Sequence, residues 1–173
     1  MKFFHKAVVI SVLFAAASTF SNPSAAALQC SIASGVSLNF GTYDDSSPTN
    51  RDVSTTFSMR CCYTTGSKPA VANVSIAIGA STHSGQITTR QMKNSVNGDL
   101  MNYQLYFASF GGTVWGDGLS GGSEFTRLVG TTTKCNSGQD LIPAGSAIFG
   151  RIFAQQPVSA GSYSDSLTIT VTP

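Results

Sequence analysis

Gly118-Leu119-Ser120-Gly121-Gly122 has the G-x-S-x-G spacing of a hydrolase nucleophile elbow, in which a sharp strand-to-helix turn presents a serine to a histidine base. No helix is predicted after Ser120. His83, the only histidine beyond residue 27, precedes the serine in a Gly/Ser-rich turn, which reverses the Ser-Asp-His order of that fold. The overlapping Gly116-Asp117-Gly118-Leu119-Ser120-Gly121 meets G-x-G-x-x-G, yet a phosphate cradle needs a helix N-terminus to receive the charge. Both matches read as chance in a Gly-rich loop. Asp44-Asp45 and Asp117 could offer carboxylates to calcium, but the spaced ligands of an EF-hand loop are absent, and solvated turn acids are the expected role. Glu124 is the only glutamate, so acid-base chemistry has few carriers. Neither an enzyme, a cofactor nor a metal site is expected.

The four cysteines, Cys30, Cys61, Cys62 and Cys135, carry the remaining chemistry. An even count in an oxidising compartment means disulfides, and a thiolate metal site at Cys61-Cys62 is the minor alternative. Thr56 to Cys62 alternates, which points Phe57, Met59 and Cys61 inward and Cys62 outward. Neighbouring cysteines in a strand diverge and rarely bond each other. The expected pairs are Cys30–Cys61 and Cys62–Cys135.

The elements that position these residues are strands. Apolar side chains recur at every second position in Val36/Leu38/Phe40, Phe57/Met59/Cys61, Val74/Ile76/Ile78, Met101/Tyr103/Leu105/Phe107, Ile148/Ile152 and Leu167/Ile169/Val171. Turn-forming clusters separate them: Tyr43 to Asn50, Thr64 to Pro69, Gly79 to Gly85, Gly111-Gly112, Gly116 to Gly122, Asn136 to Gly138 and Pro143 to Gly145. No helical period stands out after Ala27, so an antiparallel β-sandwich is expected. Trp115 is either a core plug or, with Phe110 and Phe125, part of an adhesive loop. Arg127, Arg151 and Asp165 read as ion pairs or turn hydrogen bonds near strand ends, and Asn73-Val74-Ser75 is a glycosylation acceptor pattern from which nothing is drawn.

The N-terminal segment has another purpose. Lys2, His5 and Lys6 precede an apolar run from Ala7 to Ala17, and Ala25-Ala26-Ala27 offers a cleavage site, the plan of a secretory signal peptide over 1–27. A single domain, 28–173, follows. The formal net charge of +2 rests on Lys2 and Lys6, so the exported chain is neutral. Its remaining basic residues are scattered, which leaves no patch for nucleic acid.

Several elements together carry a resemblance. They are Leu38-Asn39-Phe40-Gly41-Thr42-Tyr43-Asp44, the strand ending in Cys61-Cys62, Arg90-Gln91-Met92, Leu100-Met101-Asn102-Tyr103-Gln104-Leu105-Tyr106, Trp115-Gly116-Asp117-Gly118, Ile148-Phe149-Gly150-Arg151-Ile152 and Ala160-Gly161-Ser162-Tyr163-Ser164-Asp165-Ser166-Leu167. From Cys30 to Thr172 the chain resembles the spore coat protein U (SCPU) family, which includes pilins of archaic chaperone-usher fimbriae (Csu-type, sigma). The resemblance implies an all-β, immunoglobulin-like antiparallel sandwich, disulfide-bonded and lacking its last strand. It implies three partners: a periplasmic pilus chaperone, an outer-membrane usher, and a neighbouring pilin that donates the missing strand. No small-molecule substrate is implied. Leu167, Ile169 and Val171, with Ile148 and Ile152, are the expected groove or core strands. Export through the inner membrane to the periplasm, and then to a surface fimbria or the medium, follows.

The segment before Cys30 departs from the donor strand of shaft pilins. Cleavage after Ala27 leaves only Leu28 and Gln29 ahead of it, and even Ser18 to Gln29 contains Pro23 and mostly small or polar residues. A subunit that accepts a strand without giving one belongs at the tip or next to it, where it could mediate adhesion. The alternatives are a stand-alone secreted coat or matrix protein with a self-complete sandwich, and a secreted hydrolase or lectin.

Overall fold

A computed structural model describes residues 27–64 and 70–173. Apart from Ala27, the expected leader lies outside the described residues, as does the Thr64 to Pro69 turn beyond Thr64.

Among the described residues, twelve strands form three sheets whose ladders are all antiparallel. One sheet has the order β1-β3-β9, from β1 (Leu28–Ile32), β3 (Ser58–Tyr63) and β9 (Asp140–Pro143). A second has the order β12-β4-β8, from β12 (Ile169–Thr172), β4 (Ala70–Ile78) and β8 (Phe125–Thr131). The largest runs β11-β5-β6-β10-β2, from β11 (Tyr163–Ser164), β5 (Arg90–Asn94), β6 (Leu100–Phe107), β10 (Ile148–Ile152) and β2 (Arg51–Thr55), with β7 (Thr113–Val114) paired to β6.

Period-two patterning explains the packing. Val74, Ile76 and Ile78 of β4 point to one side, as do Met101, Tyr103 and Leu105 of β6, and they meet in one core with Met59 and Cys61 of β3 and Ile148 and Ile152 of β10. The expected all-β antiparallel sandwich is the observed architecture. The two three-stranded sheets meet along β1 and β12, each the end strand of its own sheet, which approach each other without sharing a ladder.

Cys30 lies directly opposite Cys61 in the β1–β3 register and is bonded to it, with a Cα–Cα distance of 4.2 Å. Cys62 is bonded to Cys135, with a Cα–Cα distance of 4.9 Å. The outward position expected for Cys62 is corrected: the residue is 1% exposed. Alternation turns it away from Cys61, but the chain after β8 folds back over it. Tyr63 N donates to Thr133 O and Cys135 N donates to Tyr63 O, each at 3.0 Å. Because this bridge joins residues 73 positions apart, opening it with the double variant Cys62→Ser/Cys135→Ser is expected to cost about 2–4 kcal/mol. Urea unfolding followed by intrinsic fluorescence measures the loss.

Two strand expectations shift. Val36, Leu38 and Phe40 alternate inward, but no ladder includes residues 34–50 among the described residues, because no neighbouring strand lies alongside them. The last strand begins at Ile169, two residues later than Leu167, because Asp165 holds the preceding chain by side-chain hydrogen bonds to other elements.

Candidate functional site: an open groove beside β6 and β10

The unpaired alternation at Val36–Phe40 borders an open concavity. A groove of about 880 Å³ runs between the extended segment from Val36 to Tyr43 and the segment from Val158 to Ile169. Its floor is the core face of the large sheet, where Met101, Tyr103 and Leu105 of β6 lie beside Ile148 and Ile152 of β10. Both walls send apolar side chains inward: Val36, Leu38 and Phe40 from one side, Leu167 and Ile169 from the other, all packed on the core. Phe40 O already accepts from Arg51 Nε at 2.7 Å and Gly41 N donates to Asn39 Oδ1 at 2.9 Å; the rest of this extended wall, outside any ladder, has backbone N–H and C=O groups suited to an incoming strand.

Gly150 explains why the first wall sits where it does. A Cβ at this position would lie 2.2 Å from Leu38 Cδ2 and 2.7 Å from Phe40 Cζ, so these side chains rest directly on the β10 backbone. Gly150→Val is expected to push the wall outward, at a cost of about 1–3 kcal/mol by overpacking. The side-chain NMR resonances of Leu38 and Phe40 should shift with those of β3 unchanged.

Tyr103 joins the two walls. Its ring meets Phe40 edge-on at 6.2 Å between centroids, and its hydroxyl donates to Asp165 Oδ2 at 2.7 Å. Asp165 Oδ1 accepts from Thr82 Oγ1 at 2.6 Å, Thr82 N at 3.1 Å and its neighbour Ser166 N at 2.8 Å. His83 Nε2 is bonded to Ser164 O at 3.1 Å and lies 3.9 Å from Asp165. Burial pushes the Asp165 carboxyl up, but the donors from Thr82 and Tyr103 outweigh it and leave it below the ordinary carboxylate value. Burial and the bond to Asp165 push the Tyr103 phenol well up, so it stays protonated as a donor.

The residues singled out in the sequence separate into distinct places. Ile148 and Ile152 are buried on the floor, Leu167 and Ile169 line a wall, and Val171 packs on the core without lining the groove. Trp115 is no adhesive contact. It is fully buried, Nε1 donates to Ile76 O at 2.8 Å, and the rings of Phe57, Phe107 and Phe125 surround it at centroid distances of 6.1, 5.7 and 5.7 Å. Phe125 therefore belongs to the core cluster, while Phe110 is 37% exposed and rests edge-on against Phe149.

The Gly116 to Gly122 loop serves close packing. A Cβ at Gly116 would lie 2.2 Å from Gly121 O, and Asp117 Oδ1 caps the turn by accepting from Leu119 N and Ser120 N at 2.9 and 2.7 Å. Asp44 caps a turn in the same way through Ser46 N and Oγ. Arg151 pairs with Asp52 at 2.6 Å, and Arg127 donates to Pro143 O.

One buried group was missed in the sequence. Arg90 is fully buried and donates to Gln104 Oε1 at 2.6 Å, Trp115 O at 2.7 Å, Gly79 O at 2.9 Å and Ile78 O at 3.1 Å. Burial pulls its pKa down to about 10. Its parity with Met92 was the available signal, since both face inward from β5.

The family model for the Spore Coat Protein U domain matches residues 16–170. The chain belongs to this family. No curated protein matches it. Among solved structures it is similar to a chain of the CsuC–CsuE chaperone–tip adhesion subunit pre-assembly complex from archaic chaperone-usher Csu pili of Acinetobacter baumannii. That similarity has 17% identity and a TM-score of 0.48, covering 84% of this chain and 39% of the other. A second similar chain comes from a chaperone–tip adhesin complex of CFA/I fimbriae biogenesis, with 15% identity and a TM-score of 0.46, covering 84% of this chain and 42% of the other. The chain thus spans about two fifths of the length of each.

Four of the segments that carried the SCPU resemblance converge on one place. Leu38 to Asp44 supplies one wall, Leu100 to Tyr106 and Ile148 to Ile152 the floor, and Ala160 to Leu167 the other wall.

Proposed function

We propose that this SCPU chain is a structural subunit of a surface fimbria, built through a periplasmic chaperone and an outer-membrane usher, and that its groove accepts a strand donated by a neighbouring subunit. The open groove carries this reading. The wall from Val36 to Tyr43 spans roughly 26 Å at strand geometry, enough for four inward side chains of a donor. At about 1.5–3 kcal/mol for each fully buried apolar side chain, filling the groove is worth roughly 6–12 kcal/mol. That equals the whole stability of an ordinary domain, so the chain depends on an occupant. Its activity is assembly, by main-chain pairing along an edge with side chains seated in alternate pockets.

A tip or tip-proximal position is part of the proposal. Leu28 to Ile32 is paired with β3, and Thr64 N donates to Ala27 O at 2.9 Å, so this stretch is committed to its own fold. The residues from Ser18 to Ala26 have the composition of a poor donor. On this reading residues 1–27 are a leader removed on export, 28–173 form the pilin domain, and any adhesive contact falls to surface groups such as Phe110.

Periplasmic expression with and without a co-expressed fimbrial chaperone, followed by intact mass of the soluble species, tests the proposal. A one-to-one chaperone complex is expected. A stable monomer in the absence of chaperone would reject it in favour of a self-complete coat or matrix protein.

A further inference from the structure

We propose that the Tyr103–Asp165 pair is a gauge that sets the width of the groove, and thereby the size of donor side chain it admits. The proposal rests on the strand-acceptor reading above. Tyr103 is a floor residue in contact with both walls: its ring edge meets Phe40 at 6.2 Å, and its hydroxyl holds Asp165 at 2.7 Å. Asp165 cannot follow an outward movement of its wall freely, because Thr82 holds it through N and Oγ1, and its side chain is only 2% exposed. The first wall is seated from below as well, with Leu38 and Phe40 resting on the backbone of Gly150. Both walls are thus referenced to adjacent strands of one sheet, β6 and β10.

An empty apolar groove should collapse to cover its own surface. A rigid tyrosine ring, closed by a charge-assisted hydrogen bond to a carboxylate anchored elsewhere, opposes collapse and over-opening alike. Tyr103 and Asp165 act on the donor through wall position, so they are positioning residues that select donors by size.

The test uses the full chain carrying, after Pro173 and a short Gly/Ser linker, a ten-residue strand of alternating valine and threonine. A second version replaces each valine with phenylalanine, and a third control carries prolines. In the wild type the valine version should melt roughly 5 °C above the phenylalanine version, since overpacking against fixed walls costs about 5- to 160-fold in the folding equilibrium. Tyr103→Phe keeps the ring and removes the hydroxyl; it should shrink this difference to below about 2 °C. A change that merely weakened the fold would lower both versions together.

An undiminished difference in Tyr103→Phe overturns the gauge. Failure of every wild-type version to melt above the proline control would instead reject the strand-acceptor reading. Asp165→Asn provides a second variant with the same expected result. If neither variant folds, the gauge is overturned as well, because the pair then belongs to the fold and not to groove width.

Discussion

Trp115→Ala is expected to lose about 3–5 kcal/mol of stability, enough to remove much of the stability of an ordinary domain. The side chain fills the centre of an aromatic cluster with Phe57, Phe107 and Phe125, and its Nε1 satisfies the carbonyl of Ile76 inside β4. Truncation opens a cavity and leaves that carbonyl without its indole donor. The backbone of the same residue is tied down separately, since Trp115 N donates to Leu105 O at 2.9 Å and Trp115 O accepts from Arg90. Trp115→Phe should therefore be milder, retaining much of the ring volume while losing the Ile76 bond. Urea unfolding of the two variants beside the wild type checks the order, and an unchanged midpoint for Trp115→Ala would contradict the packing described.

Arg90→Leu is expected to cost at least about 3 kcal/mol, although it replaces a charge with an apolar side chain in a buried place. The reason lies in the partners. The carbonyls of Ile78, Gly79 and Trp115 and the amide of Gln104 all receive hydrogen bonds from one guanidinium, and each buried acceptor left unpaired costs about 1–3 kcal/mol. Arg90→Lys should recover only part of this loss, because an ammonium has three donors at one point and cannot reproduce a planar fork. The same unfolding measurement distinguishes them: wild type above Lys, and Lys above Leu. Equal stability of Leu and wild type would mean that burial of the charge outweighs its bonds.

Much of the architecture was legible because period two is a local property. Val74/Ile76/Ile78 and Met101/Tyr103/Leu105 announce the inward faces of β4 and β6 from the sequence alone. The same rule found the inward parity of Val36, Leu38 and Phe40 but could not tell a paired strand from an extended wall. Alternation reports which side is apolar and says nothing of what lies alongside. Cys62 shows the complementary gap: its parity opposes Cys61, yet a loop from far along the chain covers it.

The groove itself depended on distance in space. Tyr103 and Asp165 are 62 residues apart and meet only after β6 and the wall before β12 are in place. Nor could a turn sequence such as Trp115-Gly116-Asp117-Gly118 reveal that the tryptophan points inward while Asp117 caps the turn. The family resemblance supplied what local patterning lacked, since four of its segments proved to be the walls and floor of one groove.

The central claim is that this sandwich has a gap for one strand, and the most direct measurement is the melting temperature of the full chain with that strand supplied in cis. Appending the alternating valine and threonine strand after Pro173 should raise the melting temperature by roughly 10 °C or more over the chain carrying the proline control, since a domain of this size gains about 2–4 °C for each kcal/mol. Equal melting of the two chains would mean that the groove takes no strand, and the account of an incomplete sandwich would fail.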